Sequence, residues 1–139
     1  MKKILLIVLL ATGLSGFYKT APANTDGDAS QLYVIKIHAD WCGTCKILEP
    51  KLAEVEKELS QEPVRFIILD VTDETNTEQS QDIAAELGIK EVFFRDNKSI
   101  QKAGTVAIFD PETKEIIAKL TKNDDIAEMI RKINSYLES

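Results

Sequence analysis

The sequence is poor in several residue types, and each shortage excludes a class of protein. Two cysteines and one histidine among 139 residues cannot supply a structural zinc site, which takes four cysteine or histidine ligands. The same count excludes a small disulfide-rich scaffold. No cluster of lysine and arginine is present, so nucleic acid is not an expected partner. What remains is ordinary globular composition, with 44% hydrophobic and 29% charged residues, in a chain long enough for one domain.

The N-terminal segment has the layout of a secretory signal peptide over residues 1–23. A positively charged start (1–3) precedes an apolar run (4–14), and Ala21-Pro22-Ala23 is a small-x-small cleavage motif. A membrane span needs about 20 apolar residues, and this run is shorter. We therefore expect export to the periplasm or an equivalent extracytoplasmic compartment, with an uncleaved anchor over residues 4–18 as the alternative.

Cleavage would make the acidic chain more acidic. The loss of Lys2, Lys3 and Lys19 from 17 basic residues would leave 14 against 23 acidic ones, a net charge of −9. Such a surface suits neither nucleic acid nor anionic lipid. We expect a monomer that contacts a membrane only if the signal segment stays attached.

Hydrophobic periodicity predicts one α/β domain over residues 31–139, after a polar linker over 24–30. The predicted order is β-α-β-α-β-β-α, which closes as a four-stranded mixed sheet with helices on both faces. The apolar run 64–71 predicts a central parallel strand buried on both faces. The other predicted strands are 31–39, 105–109 and 116–120. The predicted helices run from Gly43 to about Ser60 with a kink at Pro50, from Glu78 to Leu87 after a loop over 72–77, and from a cap at Asn123 or Asp124 to about Leu137.

Both cysteines fall where the first strand gives way to the first helix. Cys42 is placed at the helix N-terminus, where unpaired N–H groups and the helix dipole favour an anion and lower the thiol pKa. Cys45 is one turn further on and is expected to be more buried. A disulfide closing so small a loop adds little stability, so the Cys-x-x-Cys pair predicts a redox dithiol, in which Cys42 is the nucleophile and Cys45 resolves the mixed disulfide.

The stretch "ADWCGTCK" resembles the active site of the thioredoxin superfamily. Trp41 precedes the first cysteine, Gly43 and Thr44 lie between the two, Lys46 follows, and Pro50 falls where thioredoxins kink this helix. The resemblance covers about residues 31 to 137. It implies a thioredoxin-like fold with protein disulfides or dithiols as substrates. Thioredoxins carry an extra strand and helix before this first strand, whereas only residues 24–30 separate it from the expected cleavage site, so we expect the fold reduced to its core. We also expect a separate, unidentified redox partner and no cofactor.

Two residues of the first strand depart from the thioredoxin pattern. Lys36 stands where thioredoxins have a buried aspartate, and we expect its stem to lie along the sheet with its ammonium group in water. A charged lysine near the sulfurs would instead stabilise a thiolate. His38 stands where an aromatic residue is usual. It is either a packing residue, a group that tunes the cysteines, or a ligand for copper(I) together with them.

A third departure concerns the segment that faces the dithiol. Thioredoxins have a cis-proline followed by threonine here. Working back from the predicted hairpin places Gly104 and Thr105 at this position, which we prefer to the ungapped match that would place Phe93 there. The choice of Gly104 makes residues 90–102 an insertion. The leading hypothesis is an exported thiol–disulfide oxidoreductase. The alternative is a thioredoxin-like copper-binding or redox-sensing module without turnover.

Overall fold

The computed structural model describes residues 29–139, so the predicted signal peptide and most of the predicted linker lie outside the described residues. The strands are β1 (Leu32–His38), β2 (Val64–Asp70), β3 (Phe94–Arg95), β4 (Lys98–Ser99), β5 (Val106–Asp110) and β6 (Glu115–Leu120). The helices are α1 (Gly43–Glu58), α2 (Glu74–Glu86), α3 (Lys90–Phe93) and α4 (Ile126–Leu137). No helix within residues 29–139 has the length and apolar character needed to cross a membrane.

Four strands form one mixed sheet in the order β2-β1-β5-β6. β1 and β2 run parallel from Leu32↔Val64 to His38↔Asp70. β5 is antiparallel to β1 and to β6. The predicted α/β fold with a four-stranded mixed sheet flanked by helices is confirmed.

The alternation of side chains along β1 divides the core into two layers. Leu32 and Val34 pack with residues of α1 and α4, whereas Tyr33, Ile35 and Ile37 pack with residues of α2 and α3. Because successive strand residues point to opposite faces, one apolar strand serves both layers. β1 is therefore buried along nearly all its length.

The prediction that residues 64–71 form the central strand is wrong. β2 lies at the edge of the sheet, and Ile68 on it is 60% exposed. The central positions belong to β1 and β5, because the antiparallel hairpin β5–β6 adds to the free side of β1 rather than beyond β2. An apolar run indicates a strand, but it does not give the strand's place in the sheet.

Two predicted helix starts are also corrected. α2 begins at Glu74 rather than Glu78, because the Asp73 side chain accepts a hydrogen bond from the Asn76 N–H and caps the helix. Asp125 caps α4 by accepting from the Glu128 N–H, one residue after the predicted position.

Other predicted features lie near their expected positions. The Gly88 that was expected to stop α2 has a φ of +68° just after its end, where glycine is favoured. α1 continues through Pro50 without a break. Residues 90–102, unassigned from the sequence, contain α3 and the short hairpin β3–β4.

Candidate active site

Cys42 and Cys45 lie together at the first turn of α1, with their sulfur atoms at disulfide-bonding distance and their Cα atoms 5.3 Å apart. Cys42 is the N-cap residue, and its Sγ accepts a hydrogen bond of 3.1 Å from the Cys45 N–H. No acidic residue lies in this first turn. The N-terminal N–H groups of the helix therefore favour negative charge at this sulfur, and no acidic side chain of that turn opposes them.

The two sulfurs differ in their surroundings. Cys45 is completely buried, and its Sγ lies 3.6 Å from the Ile37 carbonyl oxygen, to which a free thiol can donate. Cys42 keeps 7% exposure and precedes Gly43, which is open to solvent. An incoming disulfide can therefore reach Cys42 and not Cys45.

Polar contacts to the end of β2 hold the loop before Cys42. The Trp41 Nε1–H donates to the Thr72 carbonyl oxygen at 3.2 Å, and the Asp40 N–H donates to Thr72 Oγ1 at 3.0 Å. Asp70 holds Thr72 in turn by accepting from its N–H and its hydroxyl group. These bonds fix the loop while the Trp41 ring remains 68% exposed.

Gly104 closes the other side of the site. Its φ is +88°, and a Cβ atom added there would lie 3.0 Å from Thr44 Cβ and 3.3 Å from Cys42 Sγ. The Gly104 N–H donates to the Ile37 carbonyl at 2.8 Å, and Thr105 O accepts from the Ile37 N–H at 2.9 Å. The structure thus places Gly104 beside Cys42, while Thr105 is bonded to β1 through Ile37.

Lys36 does not extend its head into water, so that expectation is wrong. Its side chain is only 5% exposed, and Nζ donates to Glu49 Oε1 at 2.8 Å. Glu49 projects from α1 and is half exposed, which lets it hold the ammonium group inside the sheet–helix layer while remaining hydrated itself. The hydrogen bond and positive charge of Lys36 lower the pKa of Glu49 below its usual 4.5, outweighing the opposing effect of burial.

His38 lies beside the same carboxylate. Its Nδ1 is 3.1 Å from Glu49 Oε1, although the two atoms are not aligned as a hydrogen bond, and its Nε2 is 3.2 Å from Asp40 Oδ1. His38 is therefore placed between two carboxylates. Within residues 29–139 there is no group of three histidine, cysteine or acidic side chains arranged to hold a metal ion.

The remaining predicted site residues are spread along α1. Lys46 and Pro50 are both exposed, and Lys46 contributes weakly to the lowered pKa of Glu49. Thr44 is half buried against Gly104. Trp41, Thr44 and Gly104 thus border the dithiol, whereas Pro50 lies farther along the helix.

Two residues that help to form the site, Glu49 and Thr72, were not predicted from the sequence. Glu49 lies four residues after Cys45 and therefore on the same helix face. A lysine in an apolar strand requires such a partner, but the partner is 13 residues away and its identity depends on how α1 crosses the sheet. Thr72 is one of several polar residues after β2, and nothing in the sequence distinguishes it from its neighbours.

Fold and site together define a thioredoxin-like protein with a dithiol at a strand-to-helix turn. The thioredoxin family model matches residues 24–122, which is more than half of the chain. The chain belongs to the thioredoxin family.

Several known proteins are similar to this chain. Thioredoxin from Malassezia sympodialis is 37% identical over 91 residues, covering 63% of this chain and 76% of that protein. Thioredoxin-T from Drosophila melanogaster is 41% identical over 59 residues, covering 42% of this chain and 33% of that protein. The chain thus matches only about a third of the Drosophila protein's length.

A comparison with solved structures supports the fold. The thiol:disulfide interchange protein of the thioredoxin family from Chlorobium tepidum superposes with a TM-score of 0.52 at 14% identity, covering 79% of this chain and 82% of that one. At this level of identity the likeness shows the fold alone.

Proposed function

We propose that this chain is a thiol–disulfide oxidoreductase that exchanges disulfides with protein substrates. The observation that carries the proposal is the asymmetric pair at the start of α1, with Cys42 retaining 7% exposure at the N-cap and Cys45 completely buried within bonding distance of it. A stapling role explains neither the exposed Trp41 beside the pair nor the residual exposure of Cys42 alone.

The chemistry follows from this arrangement. In the reducing direction, the Cys42 thiolate attacks one sulfur of a substrate disulfide, forming a mixed disulfide and releasing the other substrate sulfur as a thiolate that takes a proton. Cys45 then loses its proton and attacks Cys42 Sγ. The substrate's second thiol leaves, and the Cys42–Cys45 disulfide forms. Two electrons pass to the substrate, and a separate dithiol must restore the reduced state.

The test is insulin reduction driven by dithiothreitol, with wild type compared with Cys42→Ser and Cys45→Ser. We expect Cys42→Ser to lose the catalysed rate entirely. Cys45→Ser should still attack but should accumulate a mixed disulfide with insulin, visible as a reducible mass increase. A glutathione titration of wild type should give one intramolecular disulfide. The proposal fails if wild type never forms that bond, or if Cys42→Ser retains the catalysed rate.

We further propose that the protein acts outside the cytoplasm. Support comes from the positive start, the apolar run and the Ala21-Pro22-Ala23 motif. The family match begins at residue 24, directly after the expected cleavage position. Expression of the full chain in a bacterial host, followed by fractionation and intact-mass analysis, tests this. We expect periplasmic protein that begins at Asn24, and cytoplasmic protein that retains Met1 would contradict it.

A further inference from the structure

A groove of about 350 Å³ lies beside the dithiol, and we call it the Trp41 groove. Trp41, Val71 and Thr77 form one wall, and residues 97–103 form the other. Val71 and Ala103 also pack against the buried cluster that contains Cys42 and Cys45. Through Val71 and Ala103 the groove adjoins this cluster, so whatever occupies the groove lies near Cys42.

The second wall is rigid because the hairpin β3–β4 is anchored in the core. Phe93 and Phe94, which lead into it, are 0% and 2% exposed. Asp96 and Asn97 have φ values of +48° and +59°, as a tight two-residue hairpin turn requires. The Ile100 N–H donates to the Phe93 carbonyl at 2.9 Å. This wall is thus preformed rather than shaped by a ligand.

The groove combines apolar and positively charged surface. Trp41 is 68% exposed and Ile100 is 44% exposed. Lys98 and Lys102 are exposed, and no carboxylate within residues 29–139 pairs with either of them. Arg95 lies directly opposite Lys98 across the hairpin, and like charges in that position are destabilising. An incoming negative charge would relieve this repulsion.

The distribution of charge makes the groove unusual for this chain. Acidic residues outnumber basic ones by 23 to 17, yet the lining of the groove contains two lysines and no aspartate or glutamate. The net charge of the chain repels acidic partners elsewhere, whereas the two lysines attract them here over about 8 Å at physiological salt.

We propose that the Trp41 groove binds the substrate segment that flanks the disulfide, and that it selects segments with aspartate or glutamate next to the reacting cysteine. An apolar side chain of the substrate packs on Trp41 and Ile100, while its carboxylates pair with Lys98 and Lys102. The inference rests on the proposed function and names the class of substrate that this site prefers.

Binding can be measured apart from turnover, because Trp41 is the only tryptophan in the sequence. The probes are two octapeptides with serine in place of the reacting cysteine, one flanked by aspartates and the other by lysines. Their effect on the Trp41 fluorescence of the full chain gives each dissociation constant. The test variant is Lys98→Glu/Lys102→Glu. The charge-matched control is Lys57→Glu/Lys122→Glu, which changes exposed lysines away from the groove.

We expect wild type and the control to bind the acidic peptide about three- to tenfold more tightly than the basic one, since exposed ion pairs are individually weak. This preference should shrink as salt is raised. Lys98→Glu/Lys102→Glu should reverse it. Equal binding of both peptides by wild type overturns the proposal, as does a control that changes as much as the test variant. A fluorescence change on concentrating the protein alone would assign the groove to a second copy and also overturn it.

Turnover of the corresponding peptides with cysteine restored, presented as disulfide-linked dimers, separates the two proposals. Reduction of both dimers at equal rates would overturn the acidic preference and leave the oxidoreductase function standing. Failure to reduce either dimer, together with salt-dependent and selective binding, would refute the oxidoreductase function and support the groove as a docking surface for acidic segments.

Discussion

At the scale of single residues, alanine substitutions at the two glycines beside the dithiol are expected to differ in their effect on stability. Gly104→Ala would place a Cβ atom 3.0 Å from Thr44 at a φ of +88°, whereas Gly43→Ala would meet nothing within 4 Å. Because alanine is strained in that backbone conformation, we expect Gly104→Ala to lower the free energy of unfolding by about 1–3 kcal/mol. Urea denaturation of both variants measures this. Gly43→Ala, at a helix start, should have no cost, and equal losses would contradict the prediction.

The Lys36–Glu49 pair predicts a pH dependence. The pKa of Glu49 is lowered, mainly by the Lys36 hydrogen bond, so its contribution to stability is present above about pH 4.5 and is lost as pH falls through the folded-state pKa. In Lys36→Met that partner is gone. We expect the difference in unfolding free energy, wild type minus variant, to decrease as pH falls below 4.5.

The pH series needs a control on the same helix. Lys57→Met removes an exposed lysine from the last turn of α1, far along the helix from Glu49. The difference in unfolding free energy between Lys57→Met and wild type should not vary over the same pH range. A difference that stays constant with pH for Lys36→Met would show that the ion pair is not formed in solution.

At the scale of elements, the sequence predicted the type of each main segment better than its ends or place. Period-two alternation and apolar runs located four strands because those patterns are local. The start of α2 was missed because Thr72 to Thr77 has the composition of a loop, and only the Asp73 cap shows which residue begins the helix. The edge position of β2 depends on where β5 pairs, a contact more than 30 residues away in the chain.

Because sequence patterns are local, they also predicted only some residues of the site. Cys42 and Cys45 could be placed because a dithiol and its helix are adjacent in sequence. Glu49 and Thr72 could not, because each acts through a contact with another element. Gly104 was placed through family resemblance, and its close approach to Cys42 gives a physical reason for glycine there.

Asp124 joins the turn before α4 to the helix itself, so its removal is expected to lower the free energy of unfolding. Its carboxylate accepts from the Thr121 N–H at 2.7 Å and from Lys132 Nζ at 2.8 Å. Burial alone would raise its pKa, but these bonds outweigh burial and lower it. Asp124→Ala removes the acceptor of both bonds and leaves Lys132 only its longer ion pair with Glu128 at 3.8 Å, so we expect a loss of about 1–3 kcal/mol in unfolding free energy.

Asp82→Ala is the matched control for that measurement, since Asp82 is exposed on α2. It should change the unfolding free energy by less than about 0.5 kcal/mol. If urea denaturation gives similar values for the two variants, the contacts of Asp124 contribute nothing to holding α4.

At the scale of the whole molecule, the outer edge of β2 is the part of the described surface most prone to association with another molecule. β2 pairs only with β1 among the described residues, and Ile68 on it is 60% exposed. An apolar edge strand invites pairing with another chain, and a lysine on the edge opposes it. We therefore expect Ile68→Lys to raise the solubility limit in ammonium sulfate.

The effect of net charge alone would be to lower the solubility of Ile68→Lys, so the measurement separates net charge from the effect of the strand edge. The chain has a net charge of −6, so an added lysine moves it toward zero and by itself lowers solubility. Ile83→Lys makes the same change on α2, where Ile83 is 42% exposed but no strand edge is present. Ile83→Lys should precipitate at lower salt than wild type and Ile68→Lys at higher salt. If both variants precipitate earlier, net charge and not the β2 edge governs how these molecules associate.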